Sequence, residues 1–150
     1  MLNQSLLHTH ATLGIFEAMR NSFFLFLLLS LSPLVTAKEV IGVWELVSGE
    51  YINGEGKLVD YKEIKLHSMK VISSSHFSFT SMKGEEFWAS GTGSYEFADG
   101  KYIEKLHYNS FGQNPGATFI FDSKIDDDYW YNSRWKGDKR VEHEVWRRVE

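Results

Sequence analysis

The chain contains no cysteine. Disulfides, thiolate nucleophiles and cysteine-ligated zinc are therefore excluded together. Proline is nearly absent too, with two residues against twelve glycines, which suits a turn-rich β protein better than a linker-rich one. Positive charge is in the minority: 16 Lys and Arg face 20 Asp and Glu, for a formal net charge of −4. These charges are scattered along the chain, which argues against a nucleic-acid binder with its basic face and against a polybasic membrane anchor. No internal repeat, low-complexity segment, phosphate-binding glycine loop or Gly-x-Ser-x-Gly elbow is present. No long helical crossover separates the apolar segments, so a parallel sheet is not expected.

What the sequence has in quantity is aromatic surface. Five Trp, seven Tyr and eleven Phe contribute to a hydrophobic content of 43%, enough apolar surface to offset the entropy of ordering the chain. The 150 residues fit one domain plus an export segment. With no disulfide available, that domain has to be stable from its core alone, which roughly 110 residues can provide.

The export segment is the firmest feature. Phe23 to Leu31 is apolar apart from Ser30, Arg20 precedes it, and Pro33 and then Val35-Thr36-Ala37 follow. This is the layout of a cleavable signal peptide with a small-residue cut after Ala37. The run is shorter than the about 20 residues a spanning helix needs, which disfavours a retained anchor. A lipoprotein needs a Cys at the cut, so the mature chain from Lys38 is expected to be secreted or periplasmic, soluble and without a stable membrane anchor. Residues 1–18 fit a leader poorly, whereas Met19-Arg20-Asn21-Ser22 begins an ordinary one. The expected organisation is therefore an over-extended 1–18, a signal peptide over 19–37 and a folded domain over 38–150.

From Val40 onward the apolar pattern has period two. Tyr102, Glu104, Leu106 and Tyr108 alternate with Ile103, Lys105 and His107, and Phe77 and Phe79 alternate with His76, Ser78 and Thr80. Such alternation places successive side chains on opposite faces of a sheet. Turn signals divide the runs at Asn53-Gly54, Lys83-Gly84, Asp99-Gly100, Asn114-Pro115-Gly116, Asp126-Asp127-Asp128 and Lys136-Gly137-Asp138. Asp99-Gly100 is the strongest hairpin signal among them. Strands are predicted near 40–52, 65–74, 76–83, 86–98, 101–110, 117–125, 128–135 and 139–149. The stretch 57–64 reads either as another strand or as a short helical lid. The fold class is all-β, and functional groups on both faces of the 101–108 strand favour a small antiparallel up-and-down barrel of about eight strands over a sandwich.

Gly42-Val43-Trp44 opens the first mature strand and resembles the Gly-x-Trp signature of lipocalins. Lys70-Val71-Ile72 with His76-Phe77-Ser78-Phe79, Gly91-Thr92-Gly93-Ser94-Tyr95, Tyr102-Ile103-Glu104-Lys105 and the closing Glu144-Val145-Trp146-Arg147-Arg148 extend the likeness over most of 40–149. In this order they resemble a bacterial lipocalin-like (calycin-type) barrel family of uncharacterised function. The resemblance implies that Trp44 closes one end of the barrel and that Arg147 or Arg148 stacks across it as a cation–π partner. Gly42, Trp44, Trp146 and Arg147 are accordingly assigned structural roles. Two departures stand out: the mature chain is short for a full lipocalin, and the lipocalin disulfide is missing.

Glu104 and Glu144 are the most informative charged positions. If their faces point inward, two carboxylates enter one aromatic cavity, where Tyr102, Tyr108, Arg134 or His67 can donate to them. The competing explanation is ordinary charge pairing between strands or a solvated face. His76 is either a cavity donor, a haem ligand or a structural residue at a strand start. His67, His107 and His143 show no ligand spacing with it, so neither a metal nor another cofactor is expected. The ligand-binding candidates are thus Tyr102, Glu104, Tyr108, His76, Arg134 and Glu144, with no catalytic residue assigned.

Three functions remain open. The first is a barrel that binds a small apolar or amphipathic molecule. The second is an enzyme of isomerase or cyclase type using Glu104 or Glu144 as acid or base. The third is a protein-binding envelope module using the aromatic loop 108–116, in particular Phe111.

Overall fold

The computed structural model describes residues 37–150. The start at Met19 and the leader lie outside the described residues, except for Ala37. A single helical turn, α1 (Ala37–Val40), leads into β1 (Gly42–Ile52) and a short β2 (Leu58–Asp60). There follow β3 (Leu66–Ile72), β4 (His76–Lys83), β5 (Glu86–Ala98), β6 (Lys101–Asn109), β7 (Thr118–Asp126), β8 (Tyr129–Lys136) and β9 (Lys139–Arg148). Every pairing is antiparallel. Strands β3 to β9 run up and down in chain order, and β1 bonds to both β3 and β9. The sheet therefore closes through the β1–β9 pairing into a barrel of eight strands, with β2 added alongside the end of β1.

The ambiguous stretch 57–64 resolves into β2, paired with the end of β1, and a turn that places Tyr61 in the core. At the β5–β6 hairpin Asp99 and Gly100 both have positive φ, 53° and 70°. That is the pattern of a type I′ turn, whose twist matches that of the flanking strands.

One end of the barrel is filled with aromatic side chains. Trp44, Trp130, Trp146, Tyr102 and Phe77 are almost wholly buried there, joined by Val40 from α1. Trp130 lies 5.3 Å from Trp44 and 4.8 Å, edge-on, from Tyr102, within the range where ring quadrupoles attract. The Trp44 indole donates to the Val40 carbonyl at 2.8 Å, fixing α1 across this end. The cation over Trp44 is Arg148, with its guanidinium 4.1 Å from the ring. It also donates to the carbonyls of Ile41, at 2.9 Å, and Glu39. Arg147, the other candidate for this role and assigned a structural one from sequence, pairs with Glu45. Trp146 faces inward, so alternation turns Arg147 outward and brings Arg148 back to the end of the barrel. Gly42 is required where it stands: at φ 145° a Cβ would meet the Glu150 carbonyl oxygen at 2.3 Å.

Four β-bulges interrupt the ladder. The register skips Val47 in β1, Trp88 in β5, His107 in β6 and Val141 in β9. Each extra residue reverses which alternate side chains face inward beyond it.

Candidate functional site

The interior is not completely filled. A cavity of about 330 Å³ lies beyond the aromatic plug, lined by side chains from every barrel strand. Its outer wall is apolar, with Tyr51, Leu66, Phe79, Trp88 and Phe119 contributing. It also carries charge: Lys70 from β3 and Glu104 from β6 are buried, Glu144 comes from β9, and Arg134 from β8 and Glu142 from β9 are partly exposed.

Lys70 is the central polar group, and sequence reasoning missed it. Its ammonium donates to Glu104 Oε1 at 2.8 Å, and both side chains are buried. Phe79, Tyr102, Trp130 and Trp146 surround the same nitrogen at 4.9–5.8 Å from their ring centres. Burial works against its charge, but Glu104 and then Glu144 outweigh that and hold the lysine pKa above its ordinary value. A signal existed in the pattern, since Leu66, Ser68, Lys70 and Ile72 share one face. Met69 and Val71, both exposed, offered an equally plausible apolar face.

The ion-pair partner of Glu104 is thus Lys70, across the barrel, and of the donors expected from sequence Tyr102 lies close enough for Glu104 to act on its hydroxyl. Arg134 does line the cavity, bonded through Nε to Glu142 Oε2 at 2.6 Å and lying over Phe119 at 5.4 Å. Tyr61 donates to the other Glu142 oxygen at 3.3 Å. Burial, followed by the neighbouring Glu144 and Glu142, pushes the Tyr61 hydroxyl far above its ordinary pKa and keeps it a donor.

Glu144 sits opposite Asn132 on β8 and Gly49 on β1, and accepts from the Trp146 indole at 2.9 Å. Burial penalises its charge most, Lys70 opposes that, and Glu142 adds repulsion. The result is a carboxyl pushed up to about 7. Tyr102 is fully buried below the charged groups, and burial followed by Glu104 keeps its hydroxyl protonated. That hydroxyl and Asn132 Nδ2 have no hydrogen-bond partner among the described residues.

Two expected cavity residues lie elsewhere. Tyr108 is 76% exposed: the bulge at His107 shifts the alternation, so Leu106 and Asn109 face inward and Tyr108 faces out beside Thr92. His76 is also on the outer surface, because Phe77 occupies the inward position next to it. His76 bonds to Ser75 Oγ at 2.8 Å and meets His107 edge-on at 5.8 Å. Among the described residues no group of three or more His, Asp or Glu converges as metal ligands would. Phe111, from the loop after β6, is 39% exposed, lines the cavity and packs against Phe79 at 6.1 Å. His67 bonds to the Gly84 carbonyl at 2.7 Å on the exterior.

The arrangement pairs apolar walls with a small set of fixed, buried polar groups, the usual composition of a small-molecule site. No curated protein and no solved structure matches the chain. The sequence pattern of one family, described as Domain of unknown function (DUF4488), matches residues 39–150, which is the whole barrel, and the chain belongs to that family.

Proposed function

We propose that the protein is an exported, lipocalin-like barrel that takes a small amphipathic molecule into its interior. The observation that carries this reading is the cavity itself. Its volume of about 330 Å³ falls at the lower end of the range for ligand pockets, so it suits a compact ligand. An apolar body would lie against Leu66, Phe79 and Phe119, and a polar end would reach the charged groups beyond. Export is supported by the apolar run at Phe23–Leu31 and the Val35-Thr36-Ala37 cut. The lipocalin likeness is supported by the eight-stranded closure and by the stacking of Arg148 on Trp44.

Trp88 and Trp146 line the cavity, so a bound ligand should change tryptophan fluorescence. Titration with fatty acids, retinoids and small aromatic amphiphiles should give a saturable response for at least one class. Ala89→Phe places a ring in the cavity and should weaken that binding by at least about tenfold while the barrel stays folded. A panel without any saturable response would overturn the reading.

A second reading rests on Glu144. A carboxyl poised at about 7 beside a cavity is suited to exchanging protons with a bound molecule, as isomerase or cyclase chemistry requires. Glu104, held by Lys70, is less free for that role. If there is turnover, Glu144→Gln should abolish it while the variant remains folded, as circular dichroism would check. Equal turnover in Glu144→Gln would exclude the role.

A further inference from the structure

The charges lining the cavity do not balance. Among the described residues that line it, Glu104, Glu142 and Glu144 face two cations, Lys70 and Arg134. Both cations are already engaged, Lys70 with Glu104 at 2.8 Å and Arg134 with Glu142 at 2.6 Å. Glu144 forms no ion pair among the described residues. Its one donor is the neutral indole of Trp146, which occupies Oε2 and leaves Oε1 unengaged.

We infer that the cavity is built for a monocationic ligand, an amphipathic amine whose ammonium group pairs with Glu144 while its apolar body lies against the aromatic wall. The inference rests on the proposed ligand-binding role of the cavity and specifies the class of ligand. An ammonium ion supplies the one charge that the lining lacks. Phe79, Phe119 and Trp146 present rings to the same space, and ring faces attract cations most where water is excluded. A carboxylate ligand would instead add a fourth negative charge or have to displace Glu104 from Lys70, leaving a buried carboxylate unpaired.

Without a ligand, burial lets Glu144 keep its proton up to about pH 7, which relieves the imbalance. The groups that set this balance are Lys70 on β3, Glu104 and Tyr102 on β6, Arg134 on β8, Glu142 on β9 and Tyr61 after β2. Strands β4, β5 and β7 bring no charged side chain to the lining, and β1 places Gly49 opposite Glu144. An arriving ammonium ion displaces the Glu144 proton to solvent, so binding and deprotonation are linked. The amine stays charged over this range and only Glu144 titrates. Affinity is therefore full above the carboxyl's pKa and falls as pH drops through it.

The test uses three probes of nearly equal shape: phenethylamine, phenethyl alcohol and hydrocinnamate. Calorimetry on the protein should find the amine bound at least about tenfold tighter than the alcohol at pH 8, losing about tenfold per pH unit below the Glu144 midpoint. At pH 7, repeating the titration in buffers of different ionisation enthalpy should show proton release on amine binding. Glu144→Gln should remove both the amine preference and its pH dependence, with alcohol affinity retained. If that variant does not fold, proton release in the unaltered protein decides the matter on its own. Preference for hydrocinnamate, equal binding of amine and alcohol, or proton uptake overturns the inference while leaving the cavity as a ligand site. No binding by these probes or by the fluorescence panel overturns both.

Discussion

Lys70 is buried, charged and ringed by aromatic side chains, so its single substitutions and its paired substitution should behave very differently. Lys70→Met removes one half of the ion pair and leaves Glu104 in an apolar enclosure, a loss expected to cost about 3–5 kcal/mol of stability. Removing both charges together, in Lys70→Met with Glu104→Leu, should restore stability to within roughly 1 kcal/mol of the original or exceed it. Urea denaturation at neutral pH checks both, and a double variant no more stable than Lys70→Met would rule out an uncompensated carboxylate as the cause. At this scale the sequence was only partly legible. Glu104 and Glu144 stood out because each alternates with aromatic residues on a strand that otherwise reads as core. Lys70 did not, because exposed Met69 and Val71 make the opposite face of β3 look like the buried one. Arg147 and Arg148 were adjacent candidates, and only the inward direction of Trp146 decides between them.

At the scale of the element, strand positions were legible and bulges were not. The predicted runs match β1 and β3 to β9 closely, since turn residues and period-two alternation act locally. A bulge adds a single residue without a compositional mark, and it reverses the facing of what lies beyond it. That is why Tyr108 was expected in the cavity and stands outside it. The bulge at His107 has a second consequence on the neighbouring strand. Gly93 of β5 faces Leu106, and there the Lys105 carbonyl oxygen lies 2.0 Å from where a Cβ would stand. Backbone cannot yield as a flexible side chain does, so Gly93→Ala has to push β5 and β6 apart. The expected cost is about 1–3 kcal/mol or more, typical of overpacking. Hydrogen exchange should show the loss concentrated in the β5–β6 amides. Gly54→Ala is the control, because no atom lies within 4 Å of its would-be Cβ. Equal stability of the two variants would mean that the hairpin relaxes freely.

For the whole molecule, the unbalanced cavity makes stability depend on pH in a definite direction. The Glu144 carboxyl, ordinarily at 4.5, is raised to about 7 by burial. The folded barrel therefore binds this proton more tightly than the unfolded chain does. The stabilisation from holding the proton is fully present below the unfolded value, and it is lost as pH rises from there through the folded value. Glu144→Gln carries a permanent neutral group at the same place. Compared with the original protein, it should gain stability on the order of 1–3 kcal/mol between about pH 5 and pH 8, and little more above that. Taking the difference between the two proteins at each pH removes the other titrating groups, provided that they are unaffected by the change. A difference that stays constant across this range would show that Glu144 is already balanced in the folded barrel. Phenethylamine should then act on the original protein where the substitution does, raising its stability most above neutrality, where the carboxylate is ionised and lacks a partner. Because stabilisation by a ligand follows mass action, its dependence on amine concentration at high pH gives the affinity of the cavity independently of any spectroscopic signal.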